Sequence, residues 1–98
     1  MTTIHRSSGN VFRDAGFPPA EAAHLLIRAD LMIEARKILK QRRLTQVQAA
    51  KVLDITQPRV SDLVRGRIEL FSIDTLVDML ARLGVTVTVR TKKAKRVA

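Results

Sequence analysis

Residues 45–66, TQVQAAKVLDITQPRVSDLVRG, carry the start and stop signals of two short helices joined by a tight turn. Thr45 is a favourable N-cap, and Gln48 three residues later completes a capping box. The spacing therefore predicts a first helix that begins at Gln46 and ends near Leu53.

The second helix of the segment has equally clear boundaries. Thr56 is another favourable N-cap, and Pro58 falls in the first turn, where its missing N–H costs little. Gly66 stands where a helix commonly ends in a left-handed residue. The pattern predicts a helix from Gln57 to Arg65.

The apolar residues of this segment predict how the two helices meet. At about 100° per residue, one shared face would be buried, formed by Ala49, Ala50, Leu53, Ile55, Val60, Leu63 and Val64. The opposite side of the second helix is polar and partly basic, with Pro58, Asp62 and Arg65 flanked by Arg59 and Ser61. This outer side is free to meet water or a ligand.

The segment resembles the Cro/phage-repressor-like (XRE) helix-turn-helix proteins from Leu44 to Gly66. The matching features are a glutamine in the first turn of each helix, Gln46 and Gln57, and the small Ala50 between them. The resemblance implies that the second helix enters the DNA major groove. Asp54 stands where the family usually has glycine, and a small strain cost is expected because Asp tolerates positive φ.

A longer resemblance, from Val11 to Val89, is to the HigA-type antitoxins and related stand-alone regulators. It is carried by VFRDAGFPPAEA and by QPRVSDLVRGRIELFSIDTLVDMLARLG. It implies a homodimer on an inverted-repeat operator, and an antitoxin would also neutralise a RelE-like (HigB-like) ribonuclease toxin. A regulator without a toxin, and a protein that chiefly binds a toxin, remain alternatives.

Base reading needs side chains at the groove-facing start of the second helix. Gln57 can pair with adenine, and Arg59 with guanine or a phosphate. Ser61 suits base or backbone, and Asp62 can accept from cytosine or hold Arg59 or Arg65 in place. Taken singly, Gln57 is better explained as an ordinary exposed helix start; together with Gln46, Ala50, both caps and the basic charge it favours DNA binding. Contacts that position the domain on the DNA backbone are expected from Arg43, Thr45, Gln46, Arg65 and Arg67.

The composition favours a polyanionic partner. The 98 residues hold 18 Lys and Arg against 9 Asp and Glu, for a net charge of +9 and a pI near 11.4. Nucleic acid is the first candidate and an anionic membrane the second. Cysteine is absent, and no apolar run approaches the roughly 20 residues of a membrane span, so a single soluble cytoplasmic domain is expected.

The segment before residue 45 is expected to contain a polar, mobile start and a long helix. Residues 1–10 have no periodicity, whereas residues 20–43 have the helical pattern, with Asp30 a candidate break. The helix is apolar on more than one side, which indicates either burial between neighbours or a dimer or toxin-binding face. Its end is rich in cations that suit water, the helix dipole or phosphates, namely Arg36, Lys37, Lys40, Arg42 and Arg43.

After residue 66, Ser72 predicts the N-cap of a core helix that ends at Gly84. The alternation VTVTV then predicts a β-strand, with Val85, Val87 and Val89 on one side. Because a lone strand is unstable, we expect it to pair across a dimer or with a partner; the alternative is pairing with the segment around Val11 and Phe12. Residues 90–98 form a basic tail for nonspecific phosphate binding.

No pattern for catalysis accompanies these features. His5 and His24 stand alone, without an HExxH motif or a glycine-rich phosphate loop. We therefore expect no enzyme, no metal and no cofactor. The sequence predicts an all-α domain of four to five helices at residues 11–89, with one short C-terminal β-strand.

Overall fold

The computed structural model describes residues 10–93, which form five α-helices and one 3-10 turn. The elements are α1 (Val11–Asp14), α2 (Pro19–Gln41), α3 (Gln46–Leu53), α4 (Gln57–Val64), the 3-10 turn (Ile68–Leu70) and α5 (Ile73–Arg82). The predicted helical class with a helix-turn-helix is confirmed. The rest of the predicted mobile start and basic tail, residues 1–9 and 94–98, lies outside the described residues.

Asn10 takes a structural role that the sequence did not predict. Assigned from sequence to the mobile start, it is the N-cap of α1, and its side-chain oxygen accepts from the Phe12 N–H at 2.9 Å. Its Nδ2 also donates to the Ala22 carbonyl at 3.1 Å, which ties α1 to α2. A short polar side chain near a helix start was therefore a cap signal.

The local signals of α3 and α4 act as predicted. In the capping box, the Gln48 N–H donates to Thr45 Oγ1 at 3.1 Å and the Thr45 N–H to Gln48 Oε1 at 2.9 Å. Asp54 adopts the left-handed conformation at φ 56°, and Gly66 does so at φ 77°. α4 ends at Val64, with Arg65 as its cap, one residue before the predicted end.

The long helix α2 runs unbroken through Asp30 and forms the centre of the molecule. The residues of α2 that enter the main core are Leu31, Met32, Ala35, Ile38 and Leu39. α5 packs on α2 and, more lightly, on α3. None of the helices within residues 10–93 is long and apolar enough to cross a membrane.

The shared face predicted for α3 and α4 is buried except at its last residue. Ala49, Leu53, Val60 and Leu63 are buried, and Ala50 and Ile55 pack partly buried against them. Val64 is 43% exposed, so its predicted burial is wrong. It is the final residue of α4 and lines an open groove beside α2 and α3.

Two arginines stabilise the C-terminal end of α5. Arg42 Nη2 donates to the Leu83 carbonyl at 2.6 Å, and this carbonyl lies past the last turn of the helix. Arg82 pairs with Asp78 at 3.3 Å and approaches Asp54 at 3.7 Å, which connects α5 to the turn between α3 and α4.

The β-strand predicted for Val85–Val89 does not form within residues 10–93. Val85 is buried and Val87 packs on the core, so the two share a side as predicted, whereas Val89 is 84% exposed and does not. The Val85 N–H donates to the Leu80 carbonyl at 2.9 Å. Val11 and Phe12 lie in a helix, so the alternative of pairing with that segment is wrong. A strand needs a hydrogen-bonded neighbour, and the described chain offers none here.

Candidate nucleic-acid interface

The outer side of α4 is the exposed polar surface that the sequence predicted. Gln57 and Pro58 are exposed in the first turn, and Ser61 and Asp62 are half-buried one turn later. Among residues 10–93, the Gln57 side chain has no hydrogen-bond partner, so its amide is available to another molecule. The opposite side of the helix holds it to the core through Val60 and Leu63.

Arg59 is the predicted base-reading residue that the structure places differently. Its guanidinium carbon lies 4.0 Å from the centroid of the Phe71 ring, and its Nη1 donates to the Leu70 carbonyl at 2.9 Å. A cation over a ring face is attracted by the ring quadrupole. Arg59 therefore joins α4 to the segment before α5, and it would have to leave both contacts to reach a base.

Asp62 does not hold either neighbouring arginine. Within the described residues, no ion pair joins its carboxylate to Arg59 or Arg65. Its charge is only a minor contributor to the raised pKa of Arg67. Of the two roles considered for Asp62, the geometry leaves acceptance of a hydrogen bond from outside.

Arg67, predicted to contact the DNA backbone, is exposed but already paired. Its Nε donates to Glu69 Oε1 at 2.7 Å. This hydrogen bond is the main cause of the raised pKa of Arg67 and of the lowered pKa of Glu69. A phosphate at Arg67 would have to compete with this carboxylate.

The other candidates for DNA backbone contacts fall into two groups. Arg43, Thr45 and Gln46 come together where α2 ends and α3 begins, and all three are exposed. Arg43 adopts a positive φ of 54°, so its side chain starts from the turn and not from the helix. Arg65 is exposed at the other end of the unit, as the C-cap of α4.

The cations at the end of α2 also fall into two groups. Arg42 is committed to the Leu83 carbonyl, whereas three others lie beside the first group of backbone candidates: Arg36, Lys37 and Lys40. The sequence indicated all of these cations but did not show which of them bonds within the protein and which stay exposed. Their helical spacing alone does not say which side chain meets the end of α5.

The described residues contain no cluster of metal-binding side chains: no group of three or more His, Asp or Glu there is arranged to hold a metal ion. His24 is exposed on α2.

Comparison with known proteins places these features in a family. A family model described as a helix-turn-helix domain matches residues 11–92. A solved structure that carries the provisional name of an XRE family transcriptional regulator is 32% identical and covers 83% of this chain and 91% of its own, at a TM-score of 0.67. This chain belongs to the XRE-like helix-turn-helix family. No match was found among curated proteins.

Membership of this family indicates the roles of α3 and α4. The XRE-like domain is a DNA-binding unit of a transcriptional regulator, with α3 and α4 as the helix-turn-helix and α4 as its recognition helix. Gln57, Ser61 and Asp62 lie on the outer side of this helix, away from the core.

Proposed function

We propose that this protein is a transcriptional repressor that binds an inverted-repeat operator as a homodimer, with one α4 in the major groove of each half-site. The observation that carries the proposal is the division of α4: its inner side is buried in the core, while its outer side is exposed and carries an uncommitted Gln57. The excess of positive charge supplies the nonspecific component of the affinity.

The dimer would place two recognition helices about 34 Å apart, one turn of DNA. The backbone of residues 86–93 makes no hydrogen bond to the described chain, and its residues continue the alternation that begins with the buried Val85. The same segment of a second subunit could pair with it across a two-fold axis. Sedimentation of the parent and of a Val87→Pro variant would test this, because proline removes a pairing N–H. The parent should sediment as a dimer and the variant as a monomer. If the parent also sediments as a monomer, the proposed pairing is wrong.

The DNA-binding roles are tested by two variants on one operator. Gln57→Ala should change which bases are preferred at one position of each half-site, since it removes a base-reading amide. Arg67→Ala should weaken binding to all sequences alike and reduce the salt slope by about one. Selection of bound sequences from a random DNA pool, followed by titrations at several salt concentrations, would measure both effects.

The control for this pair is Gln41→Ala, which removes an exposed glutamine from the end of α2. It should bind like the parent. If Gln57→Ala selects the parent's sequences with the parent's affinity, the proposed reading face is wrong.

We further propose that the protein is the antitoxin of a toxin-antitoxin pair that represses its own operon. The N-terminal hairpin, defined as residues 11–30, supports this second role, because it exposes the large apolar side chains of Val11, Phe17 and Ile27. Since the chain itself is strongly basic, binding to a small basic ribonuclease would have to rely on such apolar surface.

Coexpression with the adjacent reading frame tests the antitoxin role. A RelE-like protein that elutes with this chain, and whose RNA cleavage this chain suppresses, is the expected result. If no such gene is adjacent, the stand-alone regulator is the better description. In either case we propose no catalytic activity of the chain itself and a place in the bacterial cytoplasm; RNA cleavage by the purified chain would contradict the first point.

A further inference from the structure

A groove of about 660 Å³ runs beside the recognition helix, between α2, the start of α3 and α4, and is called here the α2–α4 groove. Its apolar lining, called the floor, includes Ile33 of α2 and Val60 and Val64 of α4. Ile33 is 47% exposed and Val64 is 43% exposed. Two large aliphatic side chains from different helices thus share one open surface.

Cations border this floor. Arg36, Lys37 and Lys40 line the groove from α2, and Arg43 lines it from the turn after α2. None of these four has an ion-pair partner among residues 10–93. The groove therefore combines an apolar floor with an uncompensated positive border.

This combination decides among the possible occupants. A DNA backbone matches the cations but carries no large apolar group for Ile33 and Val64, so the floor would stay uncovered. The chain's own segments outside the described residues, 1–9 and 94–98, contain no Asp or Glu and do contain cations. A second copy, with its net charge of +9, has the same sign as the border. Each of these three candidates fails one requirement.

We propose that the α2–α4 groove binds an acidic segment of a different protein, with one or two large apolar side chains on the floor and carboxylates at the cationic border. Such a segment satisfies both requirements at once. Arg43, Thr45 and Gln46 line the same groove, so the segment and the DNA backbone would compete for them. The competition, but not the binding, rests on the proposed function. A partner of this kind would release the regulator from its operator.

Random dodecamer peptides displayed on phage, selected against the full chain, are the probe. The expected result is enrichment of peptides with a net negative charge and at least one Leu, Ile, Phe, Met or Trp. A resynthesised peptide should bind the Ile33→Glu variant about tenfold more weakly, because the new carboxylate opposes the acidic ligand on its apolar floor.

Matched substitutions outside the groove make the test specific. Ile27→Glu changes an isoleucine of the same helix that is 45% exposed but does not line the groove, and should leave peptide binding within about twofold. Lys37→Glu should weaken binding, whereas Lys51→Glu, an exposed lysine of α3, should not. Circular dichroism of each variant would exclude a loss of folding as the cause.

Three results would overturn the proposal: no enrichment, enrichment of neutral or basic peptides, or equal effects of Ile27→Glu and Ile33→Glu. If operator DNA protects the groove lysines from acetylation and the peptides do not bind, DNA is the occupant and the proposal fails. Operator binding by the parent is measured separately. Peptide binding without DNA binding would contradict the proposed function alone, and DNA binding without peptide binding would contradict this inference alone.

Discussion

The two halves of α2 differ in how much of their apolar surface the chain itself covers. Residues 31–41 contribute five side chains to the main core, whereas residues 19–30 have one fully buried side chain, Ala22, outside that core. In the N-terminal half, Leu25 and Leu26 are half-buried and Ile27 is exposed. A single regular helix thus passes from an interior environment to a surface one.

This difference shows why the apolar excess of the helix had two possible meanings. A helical pattern reports which residues share a side, but the neighbours that cover this side come from other segments of the chain. α5 packs on α2 and joins the main core, while the N-terminal half meets the short α1. The first interpretation, burial within the domain, therefore holds for one half, and an interaction surface remains the proposal for the other.

The largest expected effect is a test of this contrast. Met32→Ala should reduce the free energy of unfolding by about 2–5 kcal/mol, because it leaves a cavity in the main core. Ile27→Ala should reduce it by about 0.5 kcal/mol at most, because the site is largely open to solvent. Urea denaturation followed by circular dichroism measures both. If both variants lose the same free energy of unfolding, the two halves of α2 do not differ and the N-terminal hairpin belongs to the core.

The next effect compares the two arginines that follow the C-terminal end of α2. Arg42→Ala should cost about 1 kcal/mol of stability, because the Leu83 carbonyl loses its donor. Its neighbour Arg43 has no hydrogen bond or ion pair from its side chain within the described residues, so Arg43→Ala should leave stability nearly unchanged. The affinity for operator DNA should fall more in Arg43→Ala than in Arg42→Ala. If both variants lose the same stability and the same affinity, the division of these cations is wrong.

A smaller effect concerns the turn between α3 and α4, in the well-covered region of the molecule. Asp54→Gly removes the strain of a left-handed residue but also the 3.7 Å approach to Arg82, so a net gain of about 0.5 kcal/mol is expected. Asp54→Ala keeps the strain and should be destabilising. Thermal unfolding of the two variants distinguishes them; a gain from alanine would contradict the assignment of strain.

The smallest effect belongs to the exposed pair of Arg67 and Glu69. The native pKa of Glu69 lies below its ordinary value because Arg67 donates to it. The pair therefore contributes to stability above about pH 4.3, and this contribution is lost as pH falls through the lower native pKa. Carbon NMR titration should show the Glu69 pKa rising toward its ordinary value in Arg67→Ala. An unchanged titration would mean that the ion pair is not formed in solution.

Much of the candidate interface was predictable because its signals are local. Thr45, Gln48 and Thr56 bond to backbone or side-chain groups three residues away, and Asp54 and Gly66 each adopt their own backbone conformation. Such contacts depend on sequence separation and not on the fold. The caps, the turn and the exposed side of α4 could therefore be derived before any coordinates.

The exceptions involve residues far apart in the sequence. Arg59 finds Phe71, Arg42 finds Leu83, and Ile33 shares a groove with Val64. None of these pairs has a periodic signal, because helix crossing and loop path decide which side chains meet. The β-strand failed for a related reason: alternation predicts which sides the residues take, but pairing requires a neighbour that the described chain does not supply.

The sequence by itself determined α3, α4 and α5, their N-caps and the division of α4 into a buried and an exposed side, since these follow from hydrogen bonds and periodicity within a few residues. Only the tertiary structure decided which cations remain free, which half of α2 is core, and where an apolar floor opens beside the recognition helix. Those outcomes depend on contacts between distant segments, and such contacts form only when the whole chain packs.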